Sequence, residues 1–136
     1  MTDPLENLIA DFSLLDDWEE RYRHLMDLGR KLAPLTEAEH CPANKVEGCM
    51  SQVWMVADRQ QDGTIILRGD SDAHLVKGLI AVLLLAYSGK TPEQMQAVAI
   101  ESAFERLDLG QHISPNRRNG FLAMIRRIKA LAGMQN

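Results

Sequence analysis

The chain runs CMSQVWMVADRQQDGTIILRG from Cys49 to Gly69, and this stretch decides the fold. Both of its halves are rich in β-branched and aromatic residues, which favour strands. Between them lies Gln61-Asp62-Gly63, and an Asp-Gly pair between two such halves is typical of a β-hairpin turn. The sequence therefore predicts two antiparallel strands, over residues 49–58 and 64–69, and shows no other strong strand signal.

Helical patterns lie on both sides of this hairpin. Residues 73–87 are apolar on nearly every face, and a helix of that kind normally forms the buried centre of a domain. Ser71 or Asp72 is predicted to cap this helix. The order of elements indicates an α+β fold, in which several helices pack on one side of a small antiparallel sheet. Further helices are predicted to begin at Asp3-Pro4, at Asp16-Asp17 (ending at Pro34), at Thr91-Pro92, at Glu101 (ending at Gly110) and at Ser114-Pro115.

Length and composition narrow the class of protein. With 136 residues, 46% of them hydrophobic and 25% charged, the chain is expected to form a single domain over residues 1–136. Its 15 basic and 19 acidic residues give a net charge of −4, which argues against non-specific nucleic-acid binding. The longest apolar run, Leu79 to Ala86, covers eight residues, and a bilayer span needs roughly 20. The first twenty residues hold seven acids and no Lys or Arg, so we expect no targeting peptide and a cytoplasmic location.

Few residues are suited to catalysis. The sequence has no Gly-rich phosphate loop, no His-Glu-x-x-His and no Cys-x-x-Cys motif. Of its two cysteines, Cys49 follows Gly48 at the predicted corner between a loop and a strand, where a side chain can be presented. A cation lowers the pKa of such a thiol and makes it reactive, and Lys45, Arg117 or Arg118 could supply one. The alternative is that Cys49 is a small buried apolar residue, as many free cysteines are.

The most specific segment is Glu47-Gly48-Cys49-Met50-Ser51-Gln52-Val53-Trp54. Together with several other segments at matching spacing, it resembles the SufE/CsdE family of sulfur-acceptor proteins. The resemblance covers nearly the whole chain. Its other segments are Trp18-Glu19-Glu20-Arg21-Tyr22, Gly69-Asp70-Ser71-Asp72, Lys77-Gly78-Leu79, Ser114-Pro115-Asn116-Arg117 and Gly120.

The resemblance implies a function for the chain. Members of this family are partners of a pyridoxal-phosphate cysteine desulfurase, of the SufS/CsdA type, in iron–sulfur cluster assembly. They stimulate the desulfurase and accept its sulfane sulfur as a persulfide on one essential cysteine, which matches Cys49. The sulfur then passes to a downstream cluster scaffold. The resemblance also implies an α+β fold similar to that of the IscU-type scaffold proteins.

The resemblance also implies roles for residues near Cys49. Gly48, Met50 and Gln52 belong to the active loop that would meet the partner, and Asp72 lies close to that loop and affects its resting state. Arg117 matches an arginine that supports the reaction. In the first turn of a helix this cation opposes the helix dipole, so its guanidinium is used elsewhere, in an ion pair or near the thiolate. The amide of Gln52 could donate to a sulfur anion or point to solvent.

A persulfide exposed to water and to other thiols would be lost. The resting site is therefore expected to shelter it among apolar groups, for which Val46, Met50 and Val53 are candidates. Burial, however, raises the pKa of a thiol and lowers its reactivity. We therefore expect docking of the desulfurase to swing the loop at residues 44–51 outward and to expose Cys49.

Two further features have ordinary explanations. Cys41, beside His40, allows a regulatory disulfide or a metal site, but zinc sites normally need four ligands, and Cys41 is interpreted as incidental. The predicted last helix is basic, which favours a solvated face and is also compatible with steering toward a protein partner. Its basic residues are Arg117, Arg118, Arg126, Arg127 and Lys129.

Two alternatives to sulfur transfer stay open. One is a scaffold that binds an iron–sulfur cluster or a metal, although clusters are usually held by several cysteines and this chain has two. The other is a module that activates the desulfurase without covalent transfer. We expect no resident cofactor and no independent desulfurase activity, because no Schiff-base lysine site is recognisable. The sequence leaves open which desulfurase is the partner, the final sulfur recipient and the oligomeric state, a homodimer included.

Overall fold

The computed structural model of the chain describes residues 3–49 and 51–133. Within these residues the fold is α+β, as the sequence predicts: six α-helices pack with a two-stranded antiparallel sheet. The similarity to IscU-type scaffolds stays a prediction. The elements are α1 (Pro4–Ser13), α2 (Trp18–Arg30), β1 (Val53–Arg59), β2 (Ile65–Ser71), α3 (His74–Tyr87), α4 (Pro92–Gln96), α5 (Ile100–Arg106) and α6 (Pro115–Leu131).

The two strands form the predicted hairpin. Their register pairs Val53 with Ser71 at one end and Arg59 with Ile65 at the other. The first strand begins at Val53 rather than at Cys49, because β2 has ended opposite Val53 and the chain then turns into α3. Cys49 therefore lies in a loop before the strand.

The predicted central helix is confirmed as α3. Nine of its 14 residues are buried, and it packs along α2 and against β2. The approach to α2 is close because Gly78 has no side chain: a Cβ there would overlap the carbonyl oxygen of Leu25. No helix of the described residues, α3 included, is both long and apolar enough to cross a membrane.

Most helix starts follow the sequence signals. Asp3, Asp17, Thr91 and Ser114 cap α1, α2, α4 and α6 with their side chains. The prediction that Ser71 or Asp72 caps the central helix is wrong, since Ala73 is the N-cap residue and has no side-chain hydrogen bond.

Two helix ends differ from the predictions. The second helix ends at Arg30, before Pro34, because the amides of Lys31 and Leu32 bond to carbonyl oxygens only three residues back and the α-helical pattern stops there. The fifth ends at Arg106 and not at Gly110, because Asp108 takes a left-handed conformation with φ of 58°. Gly110 lies in the short 3-10 turn that follows, Leu109–Gln111.

The segment between α2 and β1 is held against the hairpin by ion pairs. The guanidinium of Arg68 on β2 donates to both carboxylate oxygens of Glu39, at 2.8 and 2.5 Å. The ring of His40 lies 2.7 Å from the carboxylate of Asp70 and packs edge-on against Trp54. This segment is therefore fixed before the chain reaches Cys49.

Candidate functional site

Cys49 lies on a short loop whose two ends are joined. The backbone amide of Val46 donates to the carbonyl oxygen of Val53 at 2.8 Å, and Lys45 forms a β-bridge with Trp54. We call the enclosed residues, 47–52, the cysteine loop. Because the loop leaves from and returns to the start of β1, its base is fixed by the hairpin.

Asp72 holds the returning end of the cysteine loop. Its carboxylate accepts from the backbone amide of Gln52 at 3.1 Å, and its own amide donates to the carbonyl of Gln52 at 3.3 Å. The Asp72 carboxylate is thus bonded to the loop and does not cap α3. The geometry brings Asp72 beside the loop, at its junction with β1.

The leading end of the loop packs against α6. Gly48 has φ of 92°, a conformation that strongly favours glycine, and a Cβ there would lie 3.3 Å from the Cβ of Ala123. The thiol of Cys49 donates to the carbonyl oxygen of Gly120 at 3.6 Å. A Cβ on Gly120 would lie 3.5 Å from that sulfur. Small residues on α6 thus leave room for the thiol.

A cavity of about 200 Å³ lies beside the Cys49 thiol. Roughly 15 Å³ is enough to hold a water molecule, so an added sulfur atom would fit. The wall is apolar where β1, α3 and α6 meet, and polar at the loop and the first turn of α6. The apolar side is formed by Val53, Val76, Leu79 and Met124, and the polar side by Ser51, Ser114, Asn116 and Arg117.

The electrostatic surroundings of Cys49 oppose ionisation at rest. Burial raises the pKa of the Cys49 thiol above its ordinary value, and the charge of Arg126 on α6 partly offsets this increase. The resting thiol is therefore neutral near pH 7, and its nucleophilic form is scarce. Exposure of the thiol would remove the larger of these two effects.

The cations proposed from the sequence lie in different places. Arg117 lines the cavity, so the structure brings it close to Cys49. Arg118 instead donates to the carbonyl oxygen of Gly110. Lys45 is exposed at the base of the cysteine loop.

The remaining predicted residues are also dispersed. Gln52 is exposed and is not part of the cavity wall, so its position favours the solvent-facing alternative. Val53 lines the cavity, whereas Val46 is buried at the base of the loop. Met50, which the resemblance assigns to the active loop, lies outside the described residues.

Cys41 lies apart from this arrangement. Both cysteines are free thiols, and Cys41 precedes a 3-10 turn at Pro42–Asn44. The ring nitrogens of the neighbouring His40 face the Thr36 carbonyl oxygen at 2.8 Å and the Asp70 carboxylate. Among residues 3–49 and 51–133, no three His, Cys, Asp or Glu side chains gather in a way that could hold a metal ion.

Sequence reasoning placed Arg117 of α6 near the thiol but missed how the rest of this helix contributes to the site. Gly120, Ala123 and Arg126 all meet or influence the cysteine loop, although the basic residues were interpreted as a solvated face. The available signal is the spacing of small residues at 120 and 123, which share one helix face. The sequence does not show that this face meets a loop 71 positions earlier in the chain.

Comparison with known proteins identifies the family of the chain. A family model for SufE, described as an Fe-S metabolism associated domain, matches residues 6–132. The match covers nearly the whole chain and defines it as a domain associated with Fe-S metabolism. This chain belongs to the SufE family, as the sequence resemblance predicted.

A solved structure has a similar fold. It is the solution structure of a hypothetical protein from Thermus thermophilus, with a TM-score of 0.67 and 22% sequence identity. The alignment covers 98% of this chain and 96% of that one. At this level of identity, the similarity concerns the fold alone.

Proposed function

We propose that this protein accepts sulfane sulfur on Cys49 from a pyridoxal-phosphate cysteine desulfurase and passes it on for iron–sulfur cluster assembly. Family membership supports the association with Fe-S metabolism. The observation that carries the transfer step is the position of the Cys49 sulfur, on a loop with a fixed base and beside a cavity of about 200 Å³. A thiol placed there can be extended by one sulfur atom without repacking the core.

The proposed step is an exchange between a thiolate and a persulfide. Cys49 gives its proton to solvent, and the thiolate attacks the outer sulfur of the donor's persulfide. A new bond forms between Cys49 Sγ and that sulfur, while the donor's S–S bond breaks and its cysteine leaves as a thiolate. The sulfane sulfur changes carrier and keeps its oxidation state, so the step needs no oxidant or reductant.

Attack requires the half-buried thiol to become accessible. We expect docking to move the cysteine loop outward, with Gly48 as a pivot. The bond between Val46 and Val53 supports a narrower moving segment, residues 47–52, than the 44–51 predicted from the sequence. Amide hydrogen exchange with and without desulfurase measures this movement, and unchanged protection across the loop would contradict it.

Mass spectrometry tests the covalent step. After incubation with cysteine and a desulfurase, the Cys49 peptide should gain about 32 Da, the mass of one sulfur atom added by exchange. Cys49→Ser should abolish the gain and the stimulation of desulfurase turnover. Cys41→Ser is the matched control, because it removes the other thiol and leaves the cysteine loop intact.

Other outcomes would identify a different function. Full stimulation by the Cys49→Ser protein would indicate activation without covalent transfer. Iron retained after anaerobic reconstitution would indicate a cluster scaffold. The proposed reaction takes place in the cytoplasm, where thiols are kept reduced, and the two free cysteines are compatible with that setting.

A further inference from the structure

The segment that leads into Cys49 runs antiparallel to α6. At one end the Cys49 thiol meets the carbonyl oxygen of Gly120 at 3.6 Å. One residue earlier in the chain, Gly48 faces Ala123, which lies further along α6. Residues that come earlier in the segment therefore contact residues that lie closer to the C-terminus of α6.

The next contact in this direction is polar. Arg127 Nη2 donates to the carbonyl oxygen of Ala43 at 2.8 Å, across 84 positions of sequence. Residues 120, 123 and 127 are three and four positions apart, so they share one face of α6. The residues at 120 and 123 are glycine and alanine, which have no polar side-chain atoms. Of these three residues, only Arg127 has a side chain that can donate a hydrogen bond to the segment.

The Arg127 side chain is constrained at its guanidinium group. Its Nε atom is fully buried and has no acceptor among the described residues, while Nη2 reaches the surface at Ala43. The planar guanidinium therefore has few alternative orientations. The neighbouring Arg126 differs, because its side chain is exposed.

We infer that Arg127 is a positioning residue for sulfur transfer: by holding Ala43 on α6, it sets the register in which the Cys49 sulfur lies against Gly120. Its part in the transfer rests on the proposed function. The positioning itself is a property of the free protein and is measured without a sulfur donor.

The rate of Cys49 alkylation by iodoacetamide tests the inference, in a Cys41→Ser background that leaves a single thiol. The pH-independent rate at high pH reports access to the sulfur, and the midpoint of the pH profile reports its pKa. Arg127→Met retains the apolar stem and removes the donor, and Arg127→Gln removes the charge and shortens the side chain, so that its amide ends before the position of Nη2. We expect either variant to raise the plateau rate about five-fold, which corresponds to a lost hydrogen bond of about 1 kcal/mol.

Two further variants separate positioning from charge. Arg127→Lys retains one donor and should return the plateau rate toward that of the parent. Arg126→Gln removes the same charge from the adjacent position, so it should leave the plateau unchanged and move the profile to higher pH. Exchange of the Val46 amide should become faster in Arg127→Met and not in Arg126→Gln.

An unchanged plateau in the folded Arg127→Met or Arg127→Gln protein would overturn the inference. The same holds if Arg127→Lys gives no rescue, or if Arg126→Gln raises the plateau equally. Sulfur uptake with desulfurase is measured separately on the same proteins. If the parent takes up no sulfur, the proposed function fails, while the alkylation rates still decide whether Arg127 positions Cys49.

Discussion

The Cys49 thiol is half-buried and lies near a positively charged side chain. Burial raises the pKa of its thiol, and Arg126 acts in the opposite direction. Because the thiolate is the nucleophilic form, the resting protein is protected from stray electrophiles and oxidants. Under the proposed function, reactivity depends on how far docking moves the cysteine loop, and therefore on the conformation of the backbone next to Cys49.

Gly48 is the residue at which this backbone is most constrained. We expect Gly48→Ala to lower the free energy of unfolding by about 1–2 kcal/mol, the usual cost of a left-handed conformation for other residues. The new Cβ would also press on Ala123, 3.3 Å away. Urea denaturation measures the loss, and alkylation of Cys49 should change with it.

Gly63 in the hairpin turn provides a matched control for this substitution. Its φ of 88° is similar, but a Cβ there would meet nothing within 4 Å. Gly63→Ala should therefore cost stability through the backbone alone and leave Cys49 alkylation unchanged. Equal changes in alkylation by the two variants would show that the contact with Ala123 is unimportant.

The sequence was informative about the thiol and less so about its surroundings. The pair Gly48-Cys49 could be singled out because glycine conformation and thiol chemistry are local properties. Arg126 could not, because its influence depends on which face of α6 meets the loop. A helix propensity or a charge pattern contains no such information.

At the scale of the elements, the stability of the segment before β1 depends on His40, whose ring faces two hydrogen-bond acceptors. The two ring nitrogens of His40 face the Thr36 carbonyl oxygen and the Asp70 carboxylate. A neutral ring carries one N–H and can donate to only one of them, whereas the protonated ring can donate to both. The hydrogen bond to Asp70 accordingly raises the pKa of His40, with a further contribution from Glu39.

The charged groups around Asp70 favour this arrangement. Burial acts to raise the pKa of Asp70, but the hydrogen bonds from His40 and from the Ser71 amide lower it overall, with help from Lys77 on α3. Glu39 is itself paired with Arg68, and that bond lowers the pKa of Glu39 to about 2. Near neutral pH, His40 is thus the group of this cluster that titrates.

The stability of this segment should fall as pH rises. Because the folded pKa of His40 is raised, its contribution is complete below the unfolded value of about 6.5 and is lost as pH passes the folded value. Hydrogen exchange at residues 40–46 should therefore become faster above about pH 6.5, beyond the intrinsic effect of pH. His40→Gln should remove this dependence, whereas His74→Gln, at an exposed residue at the start of α3, should retain it. A dependence that persists in His40→Gln would contradict the assignment.

Helix starts capped by a side chain were easier to predict than the other element boundaries. Caps such as Thr91 and Ser114 act within one turn, so the sequence contains the whole interaction. The end of α5 depends instead on the left-handed Asp108, and the start of β1 depends on where its partner strand ends. Both are set by tertiary structure.

At the scale of the whole molecule, the core positions one wall of the cavity beside Cys49. Val76 and Leu79 line that cavity from α3, and α3 is itself fixed by its contact with α2. Gly78 lies between these two residues and makes the contact with α2. The packing of α3 against α2 therefore affects the room beside the thiol.

Two glycine substitutions in helices should have opposite effects on stability. Alanine at either position gains about 0.5–1 kcal/mol of helix preference. At Gly78 the Cβ overlaps Leu25, and overpacking typically costs about 1–3 kcal/mol or more, so Gly78→Ala should be destabilised overall. At Gly120 the Cβ would make an ordinary contact 3.5 Å from the Cys49 sulfur, so stability should be unchanged or higher.

The Gly78→Ala and Gly120→Ala variants also distinguish effects on stability from effects on sulfur uptake. Gly120→Ala should be slower to gain sulfur on Cys49 although it is stable, because the added methyl group narrows the space beside the thiol. Thermal unfolding and mass spectrometry measure the two properties. Equal stability of the two variants would contradict the packing described for α2 and α3.

The joined base of the cysteine loop limits how far the sulfur can travel. Cys49 is the third residue after Val46, and an extended chain spans at most about 3.6 Å per residue. With Val46 and Val53 still paired, Cys49 can extend only about 10 Å from the hairpin, however completely the loop unfolds. Under the proposed function, a donor must therefore bring its sulfur within that radius, and a donor that keeps its sulfur in a deeper cleft has to admit the hairpin edge as well as the loop.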